Sequence, residues 1–146
     1  MSIFNSLNVS ASGLTAQRLR MDTISENIAN VNTTRDENGG VYRRKTVVFA
    51  EKNDFCFHDA LSAASSGLKG SGVKVIDVVE DKVTDLNMVY DPAHPDADEN
   101  GYVSYPNVNT VTEMTNLIDA SRAYEANVTA FNASKNLLLK TLEMGK

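Results

Sequence analysis

The sequence predicts an α+β fold in which long N- and C-terminal helices pack as a coiled-coil-like pair and enclose a small β-rich middle region. Both ends of the chain carry apolar residues at helical spacing. The stretch between them is rich in Gly, Asp, Val and Tyr, which is typical of short strands and turns. We therefore expect an N-terminal helical segment at 1–34, a β-rich region at 35–109 and a C-terminal helical segment at 110–146.

An apolar repeat predicts the N-terminal helix and its packing face. The repeat consists of Leu7, Leu14, Met21 and Ile28 at intervals of seven, with Ile24 and Val31 at interleaved positions. Side chains at this spacing bury themselves against another helix. However, 14 of the first 34 residues are Ser, Thr or Asn, and each disfavours a helix by up to ~0.7 kcal/mol relative to Ala. We expect this helix to depend on packing and to be weakly ordered in the free chain.

The C-terminal helix is predicted from a second apolar stripe and from its start. The stripe consists of Met114, Leu117, Ile118, Tyr124, Val128, Phe131, Leu138 and Leu142. Another face carries small or amide side chains, at Asn116, Ala120, Ala123, Asn127, Ala130 and Ser134. Thr110 and Glu113 have the spacing of a capping box, in which each side chain bonds the other residue's backbone N–H. We expect the apolar stripes of both helices to form helix-packing and subunit interfaces, and this helix to contact more than one neighbour.

Turn signals divide the middle region into short strands. Asn38-Gly39-Gly40 is a turn signal, and strands are expected at 41–42, 46–49 and 73–79. Residues 87–90 and 101–105 are expected to pair as a hairpin around the loop at 91–100. Residues 50–66 are ambiguous and suggest at most a short helix. The region should hold three to five strands, too few to bury much core alone.

An acidic loop gives the nearest approach to a metal site. Asp96, Asp98, Asn100 and Gly101 fit the first half of a calcium-binding loop. That pattern requires a bidentate Glu at its twelfth position, where this chain has Asn107. We interpret the loop as a solvated turn and expect no metal site and no cofactor.

No arrangement of residues indicates a catalytic centre. Cys56 is the single cysteine, and His58 and His94 are the two histidines, so no metal-ligand spacing arises. Cys56 and His58 are too close in sequence for an ordinary nucleophile–base pair. Glycines at 67, 70 and 72 lack the Lys of a phosphate-binding loop. We expect no catalytic residues and no small-molecule substrate.

Charge and hydropathy argue against nucleic acid and membrane as partners. The net charge is −5, whereas a nucleic-acid binder normally presents a basic face. The one basic cluster, Arg43-Arg44-Lys45, is interpreted as a solvated strand start. No stretch approaches the ~20 apolar residues that a membrane span needs, and the first residues do not have the pattern of a cleavable signal peptide. The polar face of the N-terminal helix holds mainly Ser, Thr and Asn, which favours partner helices over a lipid surface.

Three separated motifs resemble those of the bacterial flagellar axial proteins, the family of rod, hook and hook-associated subunits. The first consists of SGLTAQR at 12–18 and NIANVNT at 27–33, and the second of YDPAHPDAD at 90–98, GYV at 101–103 and YPNVN at 105–109. The third consists of EM at 113–114, RAYEAN at 122–127 and FNASK at 131–135. The motif residues expected to matter are Asn27, Asn30, Asn32, Thr33, Tyr102, Pro106, Asn107, Asn109, Glu113, Arg122, Tyr124 and Asn127. The second motif is similar to that of proximal-rod members, and residues 53–71 match no motif.

The resemblance implies a structural subunit of the flagellar basal-body rod. Such subunits polymerise into a helical drive shaft that transmits torque from the motor to the hook and surrounds the export channel. The implied location is the rod in the periplasmic space, reached without a cleavable signal peptide. The implied partners are the rod proteins FlgB, FlgF and FlgG, the rod–ring adaptor FliE, the membrane ring and, during secretion, the flagellar type III export apparatus.

Two other functions remain open at this point. One is a different axial subunit, such as another proximal-rod, distal-rod or hook-type protein. Hook and distal-rod members have a Gly-Tyr directly after the Asn-Thr motif, which is displaced here to Gly40-Val41-Tyr42. The other is an enzyme that acts on the peptidoglycan crossed by the rod, which would need a cleft with a positioned carboxylate pair.

Overall fold

Two long antiparallel helices dominate the computed structural model, which describes residues 3–35, 39–52, 61 and 72–145. Helix α1 spans Ile3–Ala29 and helix α2 spans Thr110–Met144. Between them lie β1 (Lys45–Glu51), β2 (Val73–Glu80), β3 (Asn87–Tyr90) and β4 (Tyr102–Tyr105). The expected α+β fold, with a helix at each end and a small β-rich middle, is confirmed.

Helix α1 forms although many of its residues have poor helix propensity, and several of their side chains bond its own backbone. The hydroxyls of Thr15, Thr23 and Ser25 donate to carbonyls four residues earlier, at 2.9–3.1 Å. The Asn30 amide does the same to the Glu26 carbonyl at 2.9 Å. Because such bonds to the preceding turn do not stabilise a helix, the packing of α1 against other elements has to supply its stability.

Strands β1 and β2 form an antiparallel ribbon that packs on α1. A bulge between Val48 and Phe49 leaves Ile76 without an opposite residue. Gly72 precedes β2 at a φ of +98°, and Ser12 Oγ on α1 occupies the space that a Cβ would take. Ser12 Oγ also accepts a hydrogen bond from the Val73 N–H at 3.1 Å, which fixes the start of β2 against α1.

The expected strand at 41–42 is absent, so that prediction is wrong. Residues 41–44 lie outside the strands, and of their backbone groups the Arg44 carbonyl accepts from the Asp81 N–H at 2.8 Å. The Tyr42 side chain is instead buried, and its hydroxyl donates to Asn27 on α1. The Arg44 N–H bonds the Asn107 side chain at 2.9 Å rather than a neighbouring strand.

The hairpin predicted near the end of the middle region is confirmed. Strands β3 and β4 pair in register from Asn87–Tyr105 to Tyr90–Tyr102. Gly101 closes the loop at a φ of +79°, and its small size admits the Tyr90 ring. Val103 and Pro106 are almost completely buried. Strand β4 ends at Tyr105, and α2 starts at Thr110, five residues later.

The start of α2 differs from the predicted capping box. The N-cap is Asn109, whose side chain accepts from the N–H groups of Val111 and Thr112. Thr110 is the first helical residue. The prediction was wrong because Asn also caps helices well, and because the Glu113 carboxylate turns inward to contact other elements.

Several sequence features lie outside the described residues. Cys56 and His58 are among them, as are the glycines at 67 and 70 and most of the ambiguous stretch. In the described part of the chain, neither helix combines the length and hydropathy needed to cross a membrane.

Candidate assembly interface

A cluster of buried and half-buried polar side chains joins α1, the start of β1 and the start of α2. We call it the polar junction and define it as Asn27, Tyr42, Arg44, Lys45 and Glu113. Asn27 is 0% exposed and Glu113 is 1% exposed. Burying an amide and a carboxylate is tolerated only when their hydrogen bonds are made inside the protein.

Asn27 uses both ends of its side-chain amide. Its Nδ2 donates to the Lys45 carbonyl at 2.8 Å and to Glu113 Oε2 at 3.1 Å. Its Oδ1 accepts from the Lys45 N–H and from the Tyr42 hydroxyl, both at 2.9 Å. The amide thus has two donated and two accepted bonds, which is its full capacity.

The Glu113 carboxylate is paired with a guanidinium. Arg44 Nε and Nη2 lie 2.9 and 2.8 Å from Glu113 Oε1. The Asn116 amide also donates to this oxygen, at 3.4 Å. Since Arg44 precedes β1 and Glu113 lies in the first turn of α2, the ion pair fixes the ribbon to the helix pair.

Tyr42 packs in an environment that disfavours its ionised form. Burial, followed by the negative charges of Glu26, Glu113 and Glu80, raises its pKa to about 12. The phenol therefore remains a hydrogen-bond donor to Asn27 at all ordinary pH values. Lys45 Nζ lies 5.4 Å from the centre of the ring and 2.7 Å from Glu26 Oε1.

Asn107 and Asp81 extend these contacts to the loop after β2. The Asn107 amide accepts from the Arg44 N–H and donates to the Asp81 carbonyl at 3.2 Å. Hydrogen bonds from the Thr84 N–H and then from its hydroxyl lower the pKa of the Asp81 carboxyl. Asn107, which precedes α2, is thus bonded to the residue before β1 and to the residue after β2.

Helices α1 and α2 meet along a line of small and polar residues with a constant register. Ser6 Oγ lies 3.4 Å from Ser134 Oγ, and Asn27 meets Glu113. Between these contacts, Gly13 faces Asn127. Contacts on both helices are spaced by seven or fourteen residues, so the same register places Arg20 opposite Ala120, which is 0% exposed. We call this line the axial seam: Ser6, Gly13, Arg20 and Asn27 against Ser134, Asn127, Ala120 and Glu113.

Gly13 leaves room for the Asn127 side chain in the axial seam. A Cβ at this position would lie 3.1 Å from Asn127 Oδ1 and 3.2 Å from its Cγ and Nδ2. The Asn127 amide is itself held by a bond to the Ala123 carbonyl at 2.9 Å. The glycine therefore has a packing role that outweighs its poor helix propensity.

The apolar residues predicted for the interfaces flank the axial seam, and most are incompletely buried. Ile24 is buried, at 6% exposed. The half-buried members are Leu7, Leu14, Met21, Ile28, Val31, Leu117, Tyr124, Val128, Phe131 and Leu138. Met114, Ile118 and Leu142 are exposed, at 57%, 52% and 68%. The helix pair thus leaves much of both apolar stripes accessible.

The motif residues lie in three places. Those near the polar junction or the axial seam are Asn27, Pro106, Asn107, Asn109, Glu113, Tyr124 and Asn127. Asn30, Asn32 and Thr33 follow the end of α1, while Tyr102 and Arg122 are exposed. Thr33 Oγ1 donates to Asn30 Oδ1 at 3.1 Å, which closes the turn after α1. None of these Asn residues has a positive φ.

Sequence reasoning missed part of this arrangement. Strand β1 does start at Lys45, but the interpretation of the cluster as solvated is wrong for Arg44, which pairs with the buried Glu113, and Lys45 also forms an ion pair, with Glu26. The sequence showed a cluster of cations beside a predicted strand, which could have indicated ion pairs. Their partners, Glu113 and Glu26, could not be identified because they lie far away in sequence. Gly13 and the Ser6–Ser134 contact were also missed, although their seven-residue spacing is visible in the sequence.

The acidic loop after β3 is held by contacts with neighbouring residues. Asp96 accepts from the Thr34 hydroxyl at 2.9 Å and lies 3.8 Å from Arg35. His94 Nδ1 accepts from the Asp96 N–H at 3.1 Å. Within the described ranges, no three His, Cys, Asp or Glu side chains group as metal ligands would.

Comparisons with known proteins match both ends of the chain to flagellar families. Residues 7–35 match the family model for flagella basal body rod proteins, and residues 99–144 match the C-terminal model of the flagellar basal body rod FlgEFG proteins. Flagellar basal-body rod protein FlgC of Bacillus subtilis is 51% identical over 100% of both chains. The proteins of the same description from Borreliella burgdorferi and Escherichia coli are 47% and 40% identical over 97% and 100% of both chains. With this identity sustained along its whole length, the chain belongs to the FlgC family of flagellar basal-body rod proteins.

Proposed function

We propose that this structural subunit of the flagellar basal-body rod assembles through the outer faces of its α1–α2 pair. The rod assignment follows from the family. The apolar side chains that the helix pair leaves accessible support the mode of assembly. In this proposal the segments at 1–34 and 110–146 form the axial core, and the region at 35–109 faces outward.

One observation carries the proposal: an apolar stripe on α2 is exposed to water although α2 is packed on α1. Val111, Met114 and Ile118 recur at helical spacing and are 72%, 57% and 52% exposed. Leu142 and Met144 near the end of α2 are 68% and 80% exposed. Large exposed apolar side chains grouped at each end of one helix are typical of a protein–protein interface.

The polymer that follows is an open helix with a repeating heterologous contact. Burial of several hundred Å² of apolar surface per neighbour would contribute on the order of 10 kcal/mol before ordering costs. Such an array is stiff because each helix packs on more than one partner. A stiff array of this kind could transmit torque from the motor to the hook and enclose the export channel.

The proposed partners are those of a proximal-rod subunit. They comprise FlgB, FlgF and FlgG as rod neighbours, FliE and the membrane ring at the base, and the type III export apparatus during secretion. The proposed location is the rod in the periplasmic space, after export without a cleavable signal peptide. The relatives are described as rod proteins, and we propose a purely structural, non-enzymatic role for this chain as well.

Charges placed on the exposed stripe test the proposed interface. Ile118→Asp and Leu142→Asp should leave the monomer folded, because both side chains are exposed, but should abolish incorporation into rods because an interface buries the charge. Complementation of a deletion strain, scored by motility and by immunoblotting of purified basal bodies, measures incorporation. Asn136→Asp adds the same charge at an exposed polar position of α2 and should incorporate normally. Motile cells with normal rods from both stripe variants would refute the proposed interface.

A further inference from the structure

The axial seam by itself would accept more than one register. Sliding α2 by seven residues in one direction would place Thr141 opposite Ser6 and Ser134 opposite Gly13. Sliding it the other way would place Asn127 opposite Ser6 and Ala120 opposite Gly13. All of these pairs combine a small residue with another small or amide side chain. The flanking apolar residues also recur every seven positions. After a slip of seven residues, the apolar residues of α1 would again lie beside apolar positions of α2.

The polar junction does not accept these slips. In the first slipped register Asn27 would face Ala120, and in the second it would face Pro106, before the start of α2. Either slip separates the Asn27 amide from Glu113 Oε2 and leaves hydrogen-bonding capacity unused in a position that is fully buried. Unpaired buried polar groups cost more free energy than their pairing gains.

Arg44 makes the discrimination sharper because it is tied to another element. Its guanidinium binds Glu113 Oε1, and its N–H binds Asn107. Lys45, which follows it, bonds both ends of the Asn27 amide through its backbone. Arg44 and Lys45 therefore contact both helices, and these contacts depend on the position of each helix.

We propose that Asn27 and Glu113, positioned by Arg44, are the residues that select the register of the α1–α2 pair. A single buried polar contact in a seven-residue repeat fixes register in other paired helices. The polar junction performs this role in a pair whose contacts at Ser6 and Gly13 accept either slip.

A unique register has a consequence for assembly, which rests on the proposed function. Helix α2 continues from Ser134, which meets Ser6, as far as Met144 and forms an extension beyond this contact. Every subunit then presents the same extension and the same outer apolar stripe to its neighbours. Register selection itself is a property of the single chain and is measured before assembly.

Disulfide trapping in the full-length, purified chain tests the proposal. In a Cys56→Ser background, Ser6→Cys is combined with Ser134→Cys as the in-register reporter, since the native oxygens lie 3.4 Å apart. Ser6→Cys with Asn127→Cys or with Thr141→Cys reports the two slipped registers. A glutathione redox buffer keeps exchange reversible, and intrachain bonds are quantified by mass spectrometry.

With the native polar junction, we expect efficient bond formation only in the in-register reporter. In Asn27→Leu/Arg44→Met/Glu113→Leu, which keeps the site filled but apolar, the slipped bonds should rise about tenfold, as the loss of one buried hydrogen-bonded pair implies. Thr23→Val is the matched control: Thr23 is also buried, but its hydroxyl bonds only its own helix. This variant should remain in register.

Two results would overturn the inference. One is a triple variant that retains helical circular dichroism and still forms only the in-register bond. The other applies if the triple variant unfolds. Glu113→Gln preserves the shape of the side chain but removes its charge, and it should then give a rise in slipped bonds that is smaller than tenfold. No rise in this variant would contradict the proposal. Rod incorporation is not used as a readout, so failure of the proposed interface would give a different pattern.

Discussion

At the scale of single residues, long-range partners explain the identities of Asn27 and Glu113. Both were recognised in the sequence as motif residues, but their contacts were not predicted. Asn27 binds groups 15, 18 and 86 positions away. Local spacing carries no information about such contacts, so a sequence can indicate that these residues matter without showing which groups they bind.

Tyr42 gives the stability of the protein a dependence on alkaline pH. Its pKa is raised to about 12 in the folded state, whereas an unfolded tyrosine titrates near ~10. Between these values the folded state retains a proton that the unfolded state has released, so the contribution of Tyr42 is complete below ~pH 10 and is lost as the pH rises further. We expect the free energy of unfolding of the wild type to fall across this window by on the order of 1–2 kcal/mol more than that of Tyr42→Phe.

Urea denaturation at a series of pH values measures this difference. At neutral pH Tyr42→Phe should be about 1 kcal/mol less stable than the wild type, because Asn27 Oδ1 loses a buried donor. Tyr90→Phe is the control, since the Tyr90 side chain is 65% exposed, and it should keep the wild-type pH dependence. Parallel curves for the wild type and Tyr42→Phe would show that the Tyr42 phenol does not contribute as described.

At the scale of elements, the sequence predicted which segments are helical better than it predicted which faces meet. The apolar repeat of α1 begins at Leu7, whereas the axial seam begins one residue earlier, at Ser6. Small residues allow the two backbones to approach, and the larger apolar residues lie beside them with part of their surface accessible. The same hydrophobic spacing is expected for a side chain that flanks an intrachain contact and for one that contacts another subunit, so the sequence alone does not distinguish them.

The N-cap and the first strand show the same limit. Asn109 and Thr110 are adjacent and both residue types cap helices, so the choice depends on where the Glu113 side chain points. Val41 and Tyr42 have strand propensity, but the contacts of Tyr42 with α1 prevail over it. The β3–β4 hairpin was predictable because its pairing and its glycine turn are local in sequence.

The contact between Gly13 and Asn127 should appear as an energetic coupling between the two helices. Gly→Ala in a helix normally stabilises by ~1 kcal/mol. Here the added methyl would crowd the Asn127 amide at 3.1–3.2 Å, so Gly13→Ala should stabilise less than that, or destabilise. In an Asn127→Ala background the crowding is absent and the full gain should return, giving a coupling of at least ~0.5 kcal/mol.

A double-mutant cycle followed by chemical denaturation measures this coupling. Asn132→Ala replaces an exposed amide of the same helix, and its effect should simply add to that of Gly13→Ala. A Gly13→Ala gain that is identical in the presence and absence of Asn127 would mean that the helices separate easily at this point.

At the scale of the whole molecule, the described part of the chain stabilises itself through polar contacts and leaves apolar surface exposed. Asn27, Tyr42 and Glu113 of the polar junction and Ala120 of the axial seam are buried, while Met114, Ile118, Leu142 and Met144 are largely exposed. This distribution is the reverse of that expected for a self-sufficient helical hairpin, which would bury its large apolar residues first. The α+β fold was predictable from the sequence, and so was the small or amide face of α2 that holds Ala120, Asn127 and Ser134, whereas the residues of α1 that meet this face were not.

The C-terminal extension of α2 should therefore matter for assembly and hardly at all for the stability of the monomer. Removing residues 140–146 takes away Leu142 and Met144, which are 68% and 80% exposed. Because little of their apolar surface is removed from water, the free energy of unfolding should change by less than about 1 kcal/mol. Incorporation into rods should nevertheless be lost, because this extension offers apolar surface for a neighbouring subunit.

Length and apolar character are separated by a second variant. Leu142→Ser/Met144→Ser keeps the full chain and its helix but removes the exposed apolar side chains, and it should fail to incorporate like the truncated chain. Denaturation of the purified proteins and immunoblotting of basal bodies give the two readouts. A full-length serine variant that builds normal rods would show that the extension acts through its length or its backbone, and that neighbouring subunits do not bind its apolar side chains.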